Sequence, residues 1–476
     1  MKTVDVVHTC DLESAERSPG IGGIARHERK VPGPRGPLSA LRVMRDPLAS
    51  LEADWKRYGD IIRYRFGTTP IILVVHPDGV KQVLQENHRS YVKSSDYQFL
   101  KRLLGEGLLT SEAPLWLRQR RLMAPMFHRQ RVAEFGATMV ESTLKMLDRW
   151  TSHASQGEPL DVCNEMARLT LEIVARVLFK VEIEGDRAGE IGHDVTVTNE
   201  RLGQFDLGMM LPWLPTRRNR RFRRAVRSLD AIIAGIVADH RNDAQDRGDL
   251  LSLLLAARDE ETGETMSDQQ IRDEVLTLIL AGHETTANAL AWTWYLLSQN
   301  PESEAKLHAE LAEVLEGRPP TVADLPKLRY ASMVIDEAMR LYPPAWSVGR
   351  SPVVDDEILG FNIPKGCNVM LSQWLTHRHP DFWESPERFE PGRFSPERAA
   401  NRPRYAYFPF GGGPRQCIGN TFALTEANLI LATVAQKYRL RLIPGQRVEA
   451  NALVTLRPRY GLKMMVEPVR MMRHAQ

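Results

Sequence analysis

The chain has 476 residues, 43% hydrophobic and 26% charged, the balance of a folded globular protein with room for one large domain or several ordinary ones. Its 63 Lys and Arg stand against 60 Asp and Glu, so a net charge of +3 excludes any global case for nucleic acid or an acidic substrate. Four cysteines, at 10, 163, 367 and 417, lie too far apart for a zinc knuckle or a redox pair, and so few thiols suit a reducing compartment.

Residues 1–30 are polar and rich in charge and Gly, and read as a disordered leader, with 31–476 forming a single domain. No stretch has the roughly 20 apolar residues of a membrane span, nor does the start carry a signal-peptide core. The expectation is a cytoplasmic protein without a transmembrane segment. Val31-Pro32-Gly33-Pro34-Arg35-Gly36-Pro37 forms a stiff hinge, because Pro fixes the backbone and gives up its amide donor. Ile61–Phe66 and Ile71–Val75, separated by Gly67-Thr68-Thr69-Pro70, predict a hairpin.

From about 78 to 345 the pattern is mainly helical. Seven arginines within Arg217–Arg227 read as a solvated helix face. Ser267-x-x-Gln270 is a capping box that opens a helix running to Asn300-Pro301, roughly 45 Å at 1.5 Å per residue. Its centre, Leu276 to Trp294, is apolar almost all round, so it should cross the core. A second helix is predicted from Pro326 to Tyr342, stopped by Pro343-Pro344. Short strands return around 353–375, 380–415 is irregular, and a last helix and a small β region close the chain. The fold class is therefore mainly α within α+β: a helical bulk with small β-sheets near the N-terminus and C-terminus.

The most informative string is Phe410-Gly411-Gly412-Gly413-Pro414-Arg415-Gln416-Cys417-Ile418-Gly419. Three glycines let the backbone turn tightly and come close to a flat ligand. The helix after Cys417 offers free amides and a dipole that stabilise a thiolate, and a thiolate in such a loop suits a soft or borderline metal. Arg415 is placed to pair with an anionic group of that ligand.

The string is similar at every fixed position to the Phe-x-x-Gly-x-Arg-x-Cys-x-Gly haem loop of the cytochrome P-450 superfamily, in its bacterial type. The resemblance implies that Cys417 is the metal ligand, the axial thiolate of heme b. It places Arg415 on a haem propionate and Phe410 packed under the ring. Gly411, Gly413, Ile418 and Gly419 border the cofactor. Trp116-Leu117-Arg118-Gln119-Arg120 resembles the family's Trp-x-x-x-Arg helix, which puts Trp116 and Arg120 on a propionate; Arg350 resembles another propionate ligand. Glu337-x-x-Arg340, on its own, reads as a surface ion pair, but the resemblance pairs both with Arg393 of Phe389-Glu390-Pro391-Gly392-Arg393-Phe394 as a structural unit.

Ala281-Gly282-His283-Glu284-Thr285-Thr286 is similar to the family's oxygen-activation motif. By that likeness Gly282 widens a groove over the haem, Ala281 faces the distal side, Thr285 holds dioxygen and Glu284 relays protons. Glu284 and Thr285 are the catalytic residues; His283 reads as structural and Thr286 as packing. The matching stations run from about 32 to 462.

The implied reaction is hydroxylation or epoxidation of an apolar small molecule, a terpenoid, fatty acid, steroid or polyketide-like compound, with O2 and two electrons. The expected pocket comprises Phe99, Leu108, Leu109, Phe205, Met209, Ala281, Trp346, Val348 and Val454. Electrons are expected from a separate ferredoxin or flavodoxin-type donor, docking on a basic face around Arg118, Arg121, Arg129 and Arg131 of a monomer. Alternatives are a haem-thiolate peroxygenase or isomerase, whose relatives commonly lack the acid–alcohol pair, and a non-catalytic haem-binding sensor, which needs an output domain.

Overall fold

The computed structural model describes residues 30–469 except 67–68, 183–185, 204–210, 212, 243–247, 259–262 and 264. Residues 1–29 of the leader, and Phe205 and Met209 of the expected pocket, lie outside the described residues.

The N-terminal hairpin forms as patterned, Ile61–Phe66 pairing antiparallel with Thr69–Val74 in the register Ile61↔Val74. It does not stand alone. Thr69–Val74 continues in parallel onto Asn368–Leu371, which pairs with Val348–Pro352, itself paired with Tyr91–Lys93. One five-stranded sheet thus unites strands from both ends of the chain. A three-stranded sheet joins Leu160–Asp161, Lys463–Pro468 and Tyr438–Leu442.

The helical bulk is organised around the long helix, Asp268–Gln299, with both halves of the Ser267–Gln270 capping box made. It packs along Val162–Phe179 and against the cysteine helix, Asn420–Lys437, which in turn lies on Arg129–Gln156. Its residues from Leu276 to Leu280, and Leu290, Ala291 and Trp292, are buried, so its centre does cross the core. No helix among the described residues is long and apolar enough to cross a membrane. The arginines of Arg217–Asn242 lie exposed, as a solvated face should.

The second predicted helix begins three residues late, at Arg329, and ends at Leu341. Its start is set from a distance: the Glu310 carboxylate accepts from the amides of Tyr330 and Ala331 at 2.6 and 2.9 Å. A carboxylate at a helix N-terminus satisfies orphan amides and complements the dipole.

The loop before Leu115–Met123 is fastened to the long helix. Asp273 accepts from the Glu106 amide at 2.9 Å and Glu274 from the Leu108 amide at 2.9 Å. Burial pushes the Glu274 carboxyl up to about 8, against the Leu108 amide that pulls it down. These ties hold Leu108 and Leu109 against the cavity described next.

Candidate functional site

Cys417 follows a loop whose shape its glycines permit. Gly411 and Gly413 have φ of +69° and +64°, the left-handed region that side chains disfavour. A Cβ on Gly413 would sit 1.8 Å from the Leu84 carbonyl oxygen, so backbone meets backbone there. The Cys417 amide donates to the Phe410 carbonyl at 3.0 Å, and Arg120 donates to the Gln416 carbonyl at 2.7 Å. Gly419 is the N-cap of the helix that follows. Cys417 is exposed and lines a cavity. Burial pushes its thiol up, while the Gly419 amide and the Arg120 guanidinium pull it back.

That cavity has a volume of about 1320 Å³. Every residue assigned above to the cofactor or the pocket lines it, Gly413 aside and within the described residues. The long helix contributes Ala281, Gly282, Glu284 and Thr285 to its wall. The Thr285 hydroxyl donates to the Ala281 carbonyl at 2.8 Å, the backward bond to the preceding turn. Gly282 also serves packing, since a Cβ there would come within 3.0 Å of Val174. His283 turns away: its Nδ1 lies 2.8 Å from the Ile279 carbonyl, and burial lowers its pKa.

One side of the cavity gathers cations. Arg415 donates to the Ser111 carbonyl at 2.9 Å, pairs with Glu112 and lies 4.3 Å over the Trp116 ring. Trp116 and Arg120 both line the cavity, the Trp116 ring under Arg415 and the Arg120 guanidinium also bonded to the cysteine loop. Arg350 stands directly across the strand pair from Lys93, which the sequence reading missed. Lys93 donates to the Leu109 carbonyl. Its ammonium is pushed well below the usual lysine range by burial and by Arg350 and Arg415. Tyr97, also missed, adds a hydroxyl beside Arg350. Like charges crowded in an enclosed space are stabilised by an anion placed among them. A thiol, a glycine-rich loop and this cationic wall suit a planar, dicarboxylate iron porphyrin.

Away from the cavity, Glu337, Arg340 and Arg393 meet in the interior. Arg340 donates to both oxygens of Glu337 at 2.7 and 2.9 Å, and Arg393 to one at 3.2 Å. Glu337 and Arg340 are wholly buried, so this is no surface pair. Glu426, on the cysteine helix, is a buried acid that the sequence reading also missed. Burial pushes its carboxyl well above the usual range, offset in part by the Thr286 hydroxyl. No local signal marks it, since a lone Glu in a helix normally faces solvent.

The cytochrome P450 family model matches residues 38–464. The chain is 42% identical to cyclooctatin synthase of Streptomyces melanosporofaciens, over 94% of this chain and 96% of that one. It is 36% identical to pentalenene oxygenase of Streptomyces avermitilis, over 88% and 92%. Among solved structures, it resembles that of the cytochrome P450DA heme domain. The TM-score is 0.85 at 27% identity, covering 93% of this chain and 98% of that one.

Proposed function

The chain belongs to the cytochrome P450 family, and on that premise we propose that Cys417 ligates its heme b and that its substrate is a polycyclic terpenoid. As a member, it is a haem-dependent monooxygenase that places one atom of O2 in an apolar small molecule, with electrons from a redox partner. The observation that carries the residue assignments is that Cys417, the cationic wall and the Glu284–Thr285 pair all line one cavity.

When bound, the haem supplies oxygen activation, to which electron donation by a thiolate contributes. Arg415, Arg350, Lys93 and Trp116 would hold its carboxylates, and Arg120 braces the cysteine loop through the Gln416 carbonyl. Thr285 offers a hydroxyl to the cavity. Burial raises the Glu284 carboxyl above its usual range, and we assign it the role of proton store. Phe99, Leu108, Leu109, Trp346, Val348 and Val454 shape the apolar wall and exclude water.

The electron donor is a separate ferredoxin or flavodoxin-type protein. Of the four arginines on the expected docking face, Arg131 is spent on Glu134 and the Gly248 carbonyl, and Arg118 is half-buried; Arg121 and Arg129 stay exposed. Residues from 31 onward act as one domain, monomeric and cytoplasmic.

The terpenoid assignment rests on the names of the two relatives and on the apolar wall. It is tested by titrating holoprotein with pentalenene and with a saturated fatty acid of equal carbon number, following the haem absorption shift. Pentalenene is expected to bind at least about tenfold tighter, roughly 1.4 kcal/mol. Tighter binding of the fatty acid would overturn the terpenoid class.

A further inference from the structure

Glu284 does not face the cavity freely. Its Oε2 accepts from Asn199 Nδ2, on helix Asp186–Leu202, and its Oε1 accepts from Thr455 Oγ1 at 2.9 Å. Thr455 itself accepts from Asn288 Nδ2 at 3.2 Å, which leaves its single proton for Glu284. Asn199, Thr455 and Asn288 are all buried. The two partners are neutral, so no ion pair forces the carboxyl to ionise. Arg457, whose charge acts on Glu284, is bound to Glu200 at 2.9 Å.

Both partners belong to segments that border the cavity. Asn199 precedes Leu202 and Gly203, and Thr455 follows Leu453 and Val454, all four in its wall. The segments also touch one another. A Cβ on Gly203 would lie 2.6 Å from the Leu453 Cβ, and the Glu200–Arg457 pair bridges them. Leu453 is further held through its carbonyl, which accepts from Trp346 Nε1 at 2.9 Å. Thr285, meanwhile, is bonded within its own helix.

We propose that Asn199 and Thr455 are positioning residues for Glu284. They hold its carboxyl between helix Asp186–Leu202 and the turn at 453–455, so that the wall a substrate touches also orients the acid. The chemistry they act on is proton delivery, not substrate binding as such. This rests on the reading of Glu284 as the proton store. Losing either donor leaves the carboxyl anchored through one oxygen, so the second proton is no longer aimed at a single oxygen atom of the reduced dioxygen. O2, two electrons and two protons then leave as hydrogen peroxide instead of yielding product and water.

The experiment compares wild-type holoenzyme with Glu284→Gln, Asn199→Ala, Thr455→Val and Thr455→Ser, supplied with substrate, O2 and a surrogate electron donor. Product and peroxide per electron pair, the solvent deuterium isotope effect, substrate affinity and the infrared carboxyl stretch lost in Glu284→Gln are measured. Asn199→Ala and Thr455→Val are expected to lower product per electron pair about tenfold, the scale of one hydrogen bond to such a group. They should raise the isotope effect and shift the carboxyl band, with substrate affinity changing less than coupling. Thr455→Ser, which keeps the hydroxyl, should restore all three, and neither substitution should add to Glu284→Gln. If Glu284→Gln changes coupling and isotope effect but Asn199→Ala and Thr455→Val leave them and the band unmoved, the positioning role is overturned and the proton store stands. If Glu284→Gln itself changes nothing, the proton store falls, and the positioning role with it.

Discussion

Glu337→Ala is expected to yield protein that fails to accumulate in folded, haem-loaded form. The substitution leaves two guanidiniums, Arg340 and Arg393, in the interior without their shared carboxylate. Removing one partner of a buried pair costs about 3–5 kcal/mol, a large part of the 5–15 kcal/mol by which domains are stable. Here the loss spreads. The Glu390 amide also donates to Glu337 at 2.8 Å, so the 384–393 segment loses its anchor. Arg340→Lys is expected to be nearly as damaging. All five N–H donors of Arg340 are used: two bonds go to Glu337 and three to the carbonyls of His377, Pro386 and Arg388. A lysine has three donors and leaves two acceptors unmet. Haem content per polypeptide and the thermal midpoint check both; a Glu337→Ala protein with native haem content and midpoint would show that the triad is dispensable.

Gly413→Ala is expected to destroy the cysteine loop, while Gly411→Ala is tolerated. Both glycines have positive φ, which costs an L residue about 1–2 kcal/mol. They differ in what surrounds them. A methyl at 411 meets no protein atom within 4 Å, whereas at 413 it would overlap the backbone carbonyl of Leu84. Backbone cannot rotate away as a side chain can, so Gln82–Glu86 or the loop must shift, at a cost of roughly 3 kcal/mol or more. The check is haem retention on gel filtration of the two variants. Equal retention would contradict the geometric account.

The contrast between these two glycines shows what a sequence can carry. Their presence was legible from the loop string; which of them is irreplaceable depends on Leu84, more than 300 residues earlier. The long helix was legible in full, because capping box, apolar centre and Asn-Pro stop are all local. The Arg329–Leu341 helix was legible except at its start, because its cap is the distant Glu310. The hairpin was patterned correctly, but its parallel partner Asn368–Leu371 was not, since the alternation of apolar residues says which face is buried and nothing of which strand lies beside it.

The site divides the same way. Cys417, Arg415, Glu284 and Thr285 stood out because their local motifs resemble those of a known family. Lys93 was not, because its meaning comes from standing opposite Arg350 in a strand pair. Asn199 and Thr455 look like ordinary polar residues until the fold brings both to one carboxylate. Glu337 and Arg340 taken alone read as a surface pair, and the family resemblance joined them to Arg393 as a structural unit; their complete burial is a tertiary property.

Cys417 is proposed to bond the haem iron through its sulfur. Purified protein, reduced and exposed to carbon monoxide, should display the strongly red-shifted Soret band of a thiolate-bound haem, and Cys417→Ser should lack it. A Soret band at the position of a neutral nitrogen ligand in the parent protein, or a serine variant with an unaltered spectrum, would contradict it.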